Sequence, residues 1–230
     1  MRPEQRIFVA IDTPDRERAL ELARRLAGRV GGFKVGLEAF VACGPPIVEE
    51  ISALGHEVFL DLKLHDIPNT VAGAAAAASG LGASFLTVHA LGGGAMIERA
   101  VASFPGACVL AVTILTSHDE ASLARLGISG PVPAAVTRLA SMAREAGAGG
   151  IVCSPLEIAE ARRAHPEGTL VIPGIRPVGA AARGDDQARV ATPAAAVAAG
   201  ADRLVIGRPI TQAEDPVAAA EQIAREIARG

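Results

Sequence analysis

A (β/α)8 barrel folded as a single domain is the architecture that the 230-residue sequence predicts, on three observations. Short apolar runs alternate with helix-patterned stretches from one end to the other. The runs are almost continuously apolar, as parallel strands covered on both faces are. Eight of them fit within a length that α/β barrels commonly occupy as one unit. Periodicity does not report closure, so a doubly wound open sheet fits the same alternation.

The first strand is Ile7 to Ile11. Thr13-Pro14-Asp15 follows it with capping oxygens and a proline, a start signal for a helix over Arg16 to Leu26. Phe33 to Gly36 and Val58 to Lys63 form the second and third strands. The run Ala74 to Ala78 reads as a helix whose small side chains let it sit close to a neighbour. Phe85 to His89, Val109 to Thr113 and Gly150 to Cys153 are the next three strands, and Ser154-Pro155 opens a helix over Leu156 to Ala164. Leu170 to Ile172 is the seventh strand. From Arg176 to Val190 the chain is rich in Arg, Asp and Gly, and it exceeds the roughly 2 to 6 residues usual between strand and helix. A phosphate-binding lid at about residues 174 to 190 is the expectation. Arg203 to Ile206 closes the set, and Asp215-Pro216 caps a last helix over Val217 to Ala228. No linker or shift of composition divides residues 1 to 230.

Half of the residues are hydrophobic, enough for a sizeable core, and the net charge is −3 with no long basic run. That balance gives no electrostatic case for nucleic acid or an anionic membrane surface. Cys43, Cys108 and Cys153 are odd in number, far apart and set in apolar patterns, so they read as buried free thiols suited to a reducing cytoplasm. Met1 to Arg6 is charged and runs straight into a strand. No apolar run approaches the 18 or so residues that a membrane helix requires. A soluble, unprocessed cytoplasmic protein is expected.

The stretch Asp61-Leu62-Lys63-Leu64-His65-Asp66-Ile67-Pro68-Asn69-Thr70 carries the chemistry. Alternate strand residues share a face, so Asp61 and Lys63 point the same way at the end of the third strand. Charges gathered there are costly unless they pair or act on something. The other carboxyl ends, where barrels concentrate chemistry, offer Asp12, Lys34, His89, Thr113, Thr116, Pro173, Gly174, Arg176, Gly207 and Arg208. Singly, each has a plain structural role. Lys34 can snorkel to solvent, Asp12 can cap the first helix, and His89 can be a hydrogen-bonded structural histidine. Gly92-Gly93-Gly94 is a turn and matches neither a dinucleotide fingerprint nor a phosphate loop. Together, two lysines and two aspartates make an array of alternating charge. At about 4 Å and an effective dielectric near 20, each contact is worth roughly 4 kcal/mol. A lysine flanked by Asp61 and Asp66 then keeps its charge and makes a poor Schiff-base nucleophile. It suits donating a proton or stabilising negative charge instead. No metal cage, Cys-His pair or cofactor motif is recognisable, so the chemistry would run on side chains alone. Gly174-Ile175-Arg176 and Gly207-Arg208 follow the seventh and eighth strands, where barrels often hold phosphate, although Arg208 alone fits a surface arginine equally well.

These residues resemble the bacterial type of the orotidine 5'-phosphate decarboxylase family over nearly the whole chain. Asp61 to Thr70 is the signature. Phe33 to Gly36, Val88 to Ala90, Val112 to Ser117, Pro173 to Arg176, Asp186 to Pro193 and Val205 to Arg208 match as well. The resemblance implies a cofactor-free conversion of orotidine 5'-phosphate to UMP and carbon dioxide, the last step of de novo pyrimidine synthesis. It implies that Lys63 protonates C6 as the carboxylate leaves, that Asp61 sits against that carboxylate, and that Lys34 and Asp66 complete the charged network. Asp66 and Thr70 would reach into the site of a partner in a homodimer. Asp12 and Lys34 would contact the ribose, Thr116 the pyrimidine region, and Gln187, Gly207 and Arg208 the phosphate. Pro173 would join the substrate-binding set, with Arg176 at the base of the lid.

Three other readings stand beside it. A magnesium-dependent sugar-phosphate decarboxylase, such as one acting on 3-keto-L-gulonate 6-phosphate, shares the Asp-x-Lys-x-x-Asp spacing but would carry a carboxylate where Lys34 stands. A phosphate-sugar isomerase or epimerase would want a base near neutral pKa, which full charges do not favour. A non-catalytic nucleotide-binding barrel would bind UMP without turnover.

Overall fold

Eight parallel strands close into a barrel in the computed structural model, which describes residues 1–177 and 189–230. They are β1 (Ile7–Ile11), β2 (Gly32–Gly36), β3 (Glu57–Leu64), β4 (Phe85–His89), β5 (Cys108–Val112), β6 (Gly150–Val152), β7 (Thr169–Ile172) and β8 (Arg203–Ile206). Each pairs with the next, and β8 returns to β1 with Val9 opposite Ile206. Closure rules out the open sheet and leaves no strand edge unpaired.

Helices wrap the outside: α1 (Arg16–Arg25), α2 (Leu37–Cys43), α3 (Pro46–Ala53), α4 (Pro68–Ser79), α5 (Gly94–Ser103), α6 (Glu120–Arg125), α7 (Val132–Glu145), α8 (Ile158–Ala164), α9 (Pro193–Ala198), α10 (Arg208–Thr211) and α11 (Pro216–Arg229). The expected start signals act as caps. The Asp15 carboxylate accepts from the Arg18 amide, and Asp215 accepts from the amides of Val217 and Ala218. Ser154 accepts from Leu156, but the chain first makes a 3-10 turn over Pro155–Glu157, so α8 begins later than its sequence pattern suggests. The β2–β3 connection breaks into α2 and α3 at Gly44, whose φ of +69° suits glycine, followed by two prolines. Ala72, Ala75 and Ala78 are buried on α4, which sits close against α5.

Two apolar layers result from the period-2 alternation of the strands. Outward residues such as Ile7, Val9 and Ile11 pack beneath the helices, while Phe8, Ala10, Phe59, Phe85, Leu110, Val112, Val152, Val171 and Val205 fill the barrel. Phe8, Phe59 and Phe85 meet edge to face at 5.8 to 6.5 Å, a geometry worth about 0.5–1.5 kcal/mol per pair beyond area burial. Of the three free thiols only Cys153 is buried. Cys43, at the end of α2, and Cys108, at the start of β5, are partly exposed, which corrects the expectation for those two.

The long β7–α9 connection is pinned at its base. The Arg176 amide donates to the Ala191 carbonyl at 2.9 Å, and the Ala191 amide to the Gly174 carbonyl at 3.2 Å. Residues 178–188, most of the expected lid and Gln187 with it, lie outside the described residues.

Candidate active site

A cavity of about 540 Å³ opens at the carboxyl ends of the strands, floored by the barrel residues Phe59, Val112, Val152 and Val205. Asp12, Lys34, Asp61, Lys63, Thr116, Pro173, Arg176, Gly207 and Arg208 all line it, so most of the site residues expected from the sequence share one chamber. Gly207 precedes the short helix α10, which Arg208 begins. Asp66 and Thr70 are exposed and do not line this cavity.

The charged side chains form a chain of alternating sign. Lys34 Nζ lies 3.1 Å from Asp12 Oδ1 and 3.5 Å from Asp61 Oδ2, and Lys63 Nζ lies 2.8 Å from the same Asp61 oxygen. Asp66 is not part of it, because its carboxylate instead accepts from the Ile67 amide at 2.6 Å. The expectation that Lys63 is flanked by both Asp61 and Asp66 therefore fails within one chain. Asp12 supplies the second carboxylate, joined to the array through Lys34. A side chain at Gly36 would intrude on this arrangement, since a Cβ there would come within 2.7 Å of Lys34 Nζ and 2.9 Å of Asp12 Oδ1.

Burial pushes the Asp61 carboxyl up, but the ammonium groups of Lys34 and then Lys63 outweigh it. Hydrogen bonds from Lys63 and Thr87 add to their effect, and the group sits below the ordinary carboxylate value. This stacking of opposite charges in a recess is the kind of electrostatic preorganisation that stabilises charge developing in a bound substrate.

Simple alternation puts Asp61 and Lys63 together, but the backbone reaches that result by a different route. β3 and β4 pair at Leu60 with Leu86, then again only at Leu64 with Val88. Asp61, Leu62 and Lys63 thus oppose the single residue Thr87, a bulge. Lys63 adopts φ +49°, the only non-glycine residue with positive φ among the described residues. Thr87, fully buried, was not singled out from sequence, where it reads as one more β-branched strand residue. Gln212 also lines the cavity without a sequence signal.

His89, two residues beyond Thr87, accepts a hydrogen bond from the Leu91 amide at 3.4 Å and stacks on His65 with ring centres 5.4 Å apart. Burial, then the nearby charges of His65, Lys63 and His118, lower its pKa to about 4. His89 is thus hydrogen-bonded and stacked in place. Beyond the cavity, Arg189 donates to Glu157 at 2.6 Å and to the Leu115 carbonyl at 3.0 Å, fastening the end of the β7–α9 connection to the loop that follows β5.

Fold and site together define a (β/α)8 barrel whose polar rim is built from paired lysines and aspartates. Comparison with known proteins makes the assignment particular. Residues 5–223 match the family model described as Orotidine 5'-phosphate decarboxylase / HUMPS family. The orotidine 5'-phosphate decarboxylase of Anaeromyxobacter sp. (strain K) is 57% identical over 226 residues, covering 97% of this chain and 99% of that one. That of Thermobifida fusca is 55% identical, covering 96% and 95%. Among solved structures, orotidine 5'-phosphate decarboxylase from Lactobacillus acidophilus superposes with a TM-score of 0.83 at 38% identity, covering 96% of this chain and 98% of that one. The chain belongs to the orotidine 5'-phosphate decarboxylase / HUMPS family.

Proposed function

We propose that this protein decarboxylates orotidine 5'-phosphate to UMP and carbon dioxide with side chains alone, the last step of de novo UMP synthesis in the cytoplasm. The observation that carries the proposal is the Asp12–Lys34–Asp61–Lys63 array within the cavity, in a chain whose relatives bear that name. With the substrate carboxylate set against Asp61, the bond from C6 to the carboxylate carbon breaks and its electron pair stays at C6. Lys63 delivers a proton to that carbon, and its amine recovers one from solvent. A fixed ammonium beside the developing carbanion needs no reorganisation when the charge appears. Repulsion between Asp61 and the substrate carboxylate adds ground-state destabilisation.

The remaining roles follow the layout of the rim. Asp12 and Lys34 hold the ribose, Thr116 the pyrimidine, and Gln187, Gly207 and Arg208 the phosphate, with Pro173 in the substrate-binding set and Arg176 at the base of a lid at about residues 174–190. Phosphate binding far from C6 contributes orientation. Asp66 and Thr70, exposed beside the two-thirds exposed Ile67, complete the site of a second copy in a homodimer. The magnesium-dependent sugar-phosphate chemistry fits less well, because the Lys34 ammonium sits between the carboxylates of Asp12 and Asp61, where a cation would be held.

The test is the ultraviolet loss of orotidine 5'-phosphate after EDTA treatment, with Lys63→Ala alongside. Rapid loss in the wild type, abolished in a variant that folds and binds UMP, is the expected result. Near-normal turnover by the variant removes Lys63 from the role. UMP binding without turnover favours the non-catalytic barrel, and magnesium-dependent activity on sugar phosphates favours the other decarboxylase.

A further inference from the structure

We infer that Thr87 is a positioning residue for the reaction, fixing the Asp61 carboxylate and the Lys63 backbone through a single hydroxyl. The inference rests on the decarboxylase reading for its kinetic consequences and on hydrogen-bond geometry for its structural ones.

The bulge creates the need. With three residues of β3 facing one of β4, the regular ladder has no acceptor for the Lys63 amide, and a buried amide without one is expensive. Thr87 Oγ1 takes that role, accepting from the Lys63 amide at 2.9 Å. The same hydroxyl donates to Asp61 Oδ1 at 3.0 Å, which uses its one proton and a lone pair in opposite directions. Asp61 is thereby held at both oxygens, since Oδ2 receives Lys63 Nζ at 2.8 Å. Thr87 thus touches the backbone and the counter-ion of Lys63 together, and closes a ring through its side chain.

Strain gives the second argument. A lysine at φ +49° is disfavoured relative to ordinary backbone, and such conformations persist only where the surroundings over-determine them. Around Lys63 the restraint comes from the Thr87 hydroxyl on the amide and from Asp61 on the ammonium. A β-branched side chain that is completely buried has little freedom at χ1, so the hydroxyl's direction is set by packing. Valine at this position would keep the shape and the methyl contacts and delete both hydrogen bonds.

The experiment compares wild type, Thr87→Val and Thr87→Ser for kcat and KM on orotidine 5'-phosphate, UMP affinity, and the titration of Asp61 by carboxyl-carbon NMR. In the Val variant kcat should fall roughly 100-fold, the scale of a small misplacement of catalytic groups. KM and UMP affinity should change little, because the phosphate and ribose contacts are intact. The Asp61 carboxyl should titrate at higher pH with one hydrogen bond lost, and Ser should restore most of kcat. Wild-type kcat in the Val variant, or equal loss in the Ser and Val variants, overturns the proposal. If the Val variant does not fold, Thr87→Cys replaces it, with only a weak donor and acceptor at the same place and the same expectations. A wild type inert on orotidine 5'-phosphate refutes the decarboxylase reading instead. The Asp61 titration still decides Thr87 in that case, since an unmoved carboxyl overturns its positioning role.

Discussion

Replacing Lys34 by Met asks whether electrostatics or packing holds the charged array. The Lys34 and Asp61 side chains are 11% and 10% exposed, and Met keeps most of the lysine stem while removing the ammonium. At 3.5 Å from Asp61 and an effective dielectric near 20, the attraction lost is roughly 5 kcal/mol. Several effects offset it. Asp61 keeps Lys63 at 2.8 Å and the Thr87 hydroxyl at 3.0 Å, the cost of desolvating the ammonium disappears, and the half-exposed Asp12 turns to water. The expected destabilisation is about 3 kcal/mol, the low end for breaking a buried pair. Its pH dependence is the sharper signature. A carboxyl whose folded pKa lies below its unfolded value, as that of Asp61 does, contributes stability that is present above about pH 4 and lost as the pH falls through the folded pKa. Without Lys34 the strongest lowering influence is gone, burial raises the carboxyl, and protonation relieves the penalty. The gap between wild type and variant should therefore be largest near neutral pH and shrink towards about pH 4. The chain has neither Trp nor Tyr, so urea titrations would be followed by far-ultraviolet circular dichroism. A gap below about 1 kcal/mol at neutral pH, the range of surface pairs, or one that does not change with pH, would refute the reasoning.

Three further outcomes follow from other contacts. Glu157→Leu should cost roughly 3–5 kcal/mol by leaving the Arg189 guanidinium buried and uncompensated. The double variant with Arg189→Met should cost less than Glu157→Leu alone, and simple additivity in the denaturation cycle would count against the pair. His89→Asn should flatten the acid side of the stability profile between about pH 6.5 and 4, because the unfolded imidazole takes up a proton there that the buried ring refuses. Gly36→Ala meets no backbone conflict, its φ being −90°. The new methyl would press on Lys34 Nζ and Asp12 Oδ1, so kcat should fall far more than stability, and unchanged kcat would mean that the array tolerates displacement.

Much of this arrangement is legible in the sequence, for identifiable reasons. All eight strands lie within a residue or two of their expected positions, because strands buried on both faces write themselves as unbroken apolar runs. The rim residues are equally visible, since Asp12, Lys34 and Asp61 interrupt or end those runs with charge. What stayed hidden depends on contacts between strands. Nothing in Asp61 to Leu64 announces a bulge, and a lysine carries no preference for positive φ that would betray one. Thr87 looks like any strand threonine until the residue count across from it is known. Three residues of spacing suggest that Asp66 flanks Lys63, but in the turn into α4 it is exposed and its carboxylate accepts from the Ile67 amide.

The bulge explains how a closed barrel can hold a lysine against an aspartate at its rim. In a regular strand two side chains on one face, two residues apart, run parallel and splay into the barrel mouth. Here Lys63, at φ +49°, holds its ammonium 2.8 Å from the Asp61 carboxylate. Lys34 approaches the same oxygen from the neighbouring strand, and Asp12, beyond the end of β1, holds Lys34 from its other side. Each charge is thus fixed by a partner carried on a different segment of the scaffold, apart from the Asp61–Lys63 pair, which depends on the bulge. The local strain is the cost of that geometry. The barrel supports it from below, where Phe59, two residues before Asp61 on β3, packs edge to face with Phe8 and Phe85. A site assembled this way places opposite charges before any substrate arrives, and the stability it gives up in Lys63 is the source of its preorganisation.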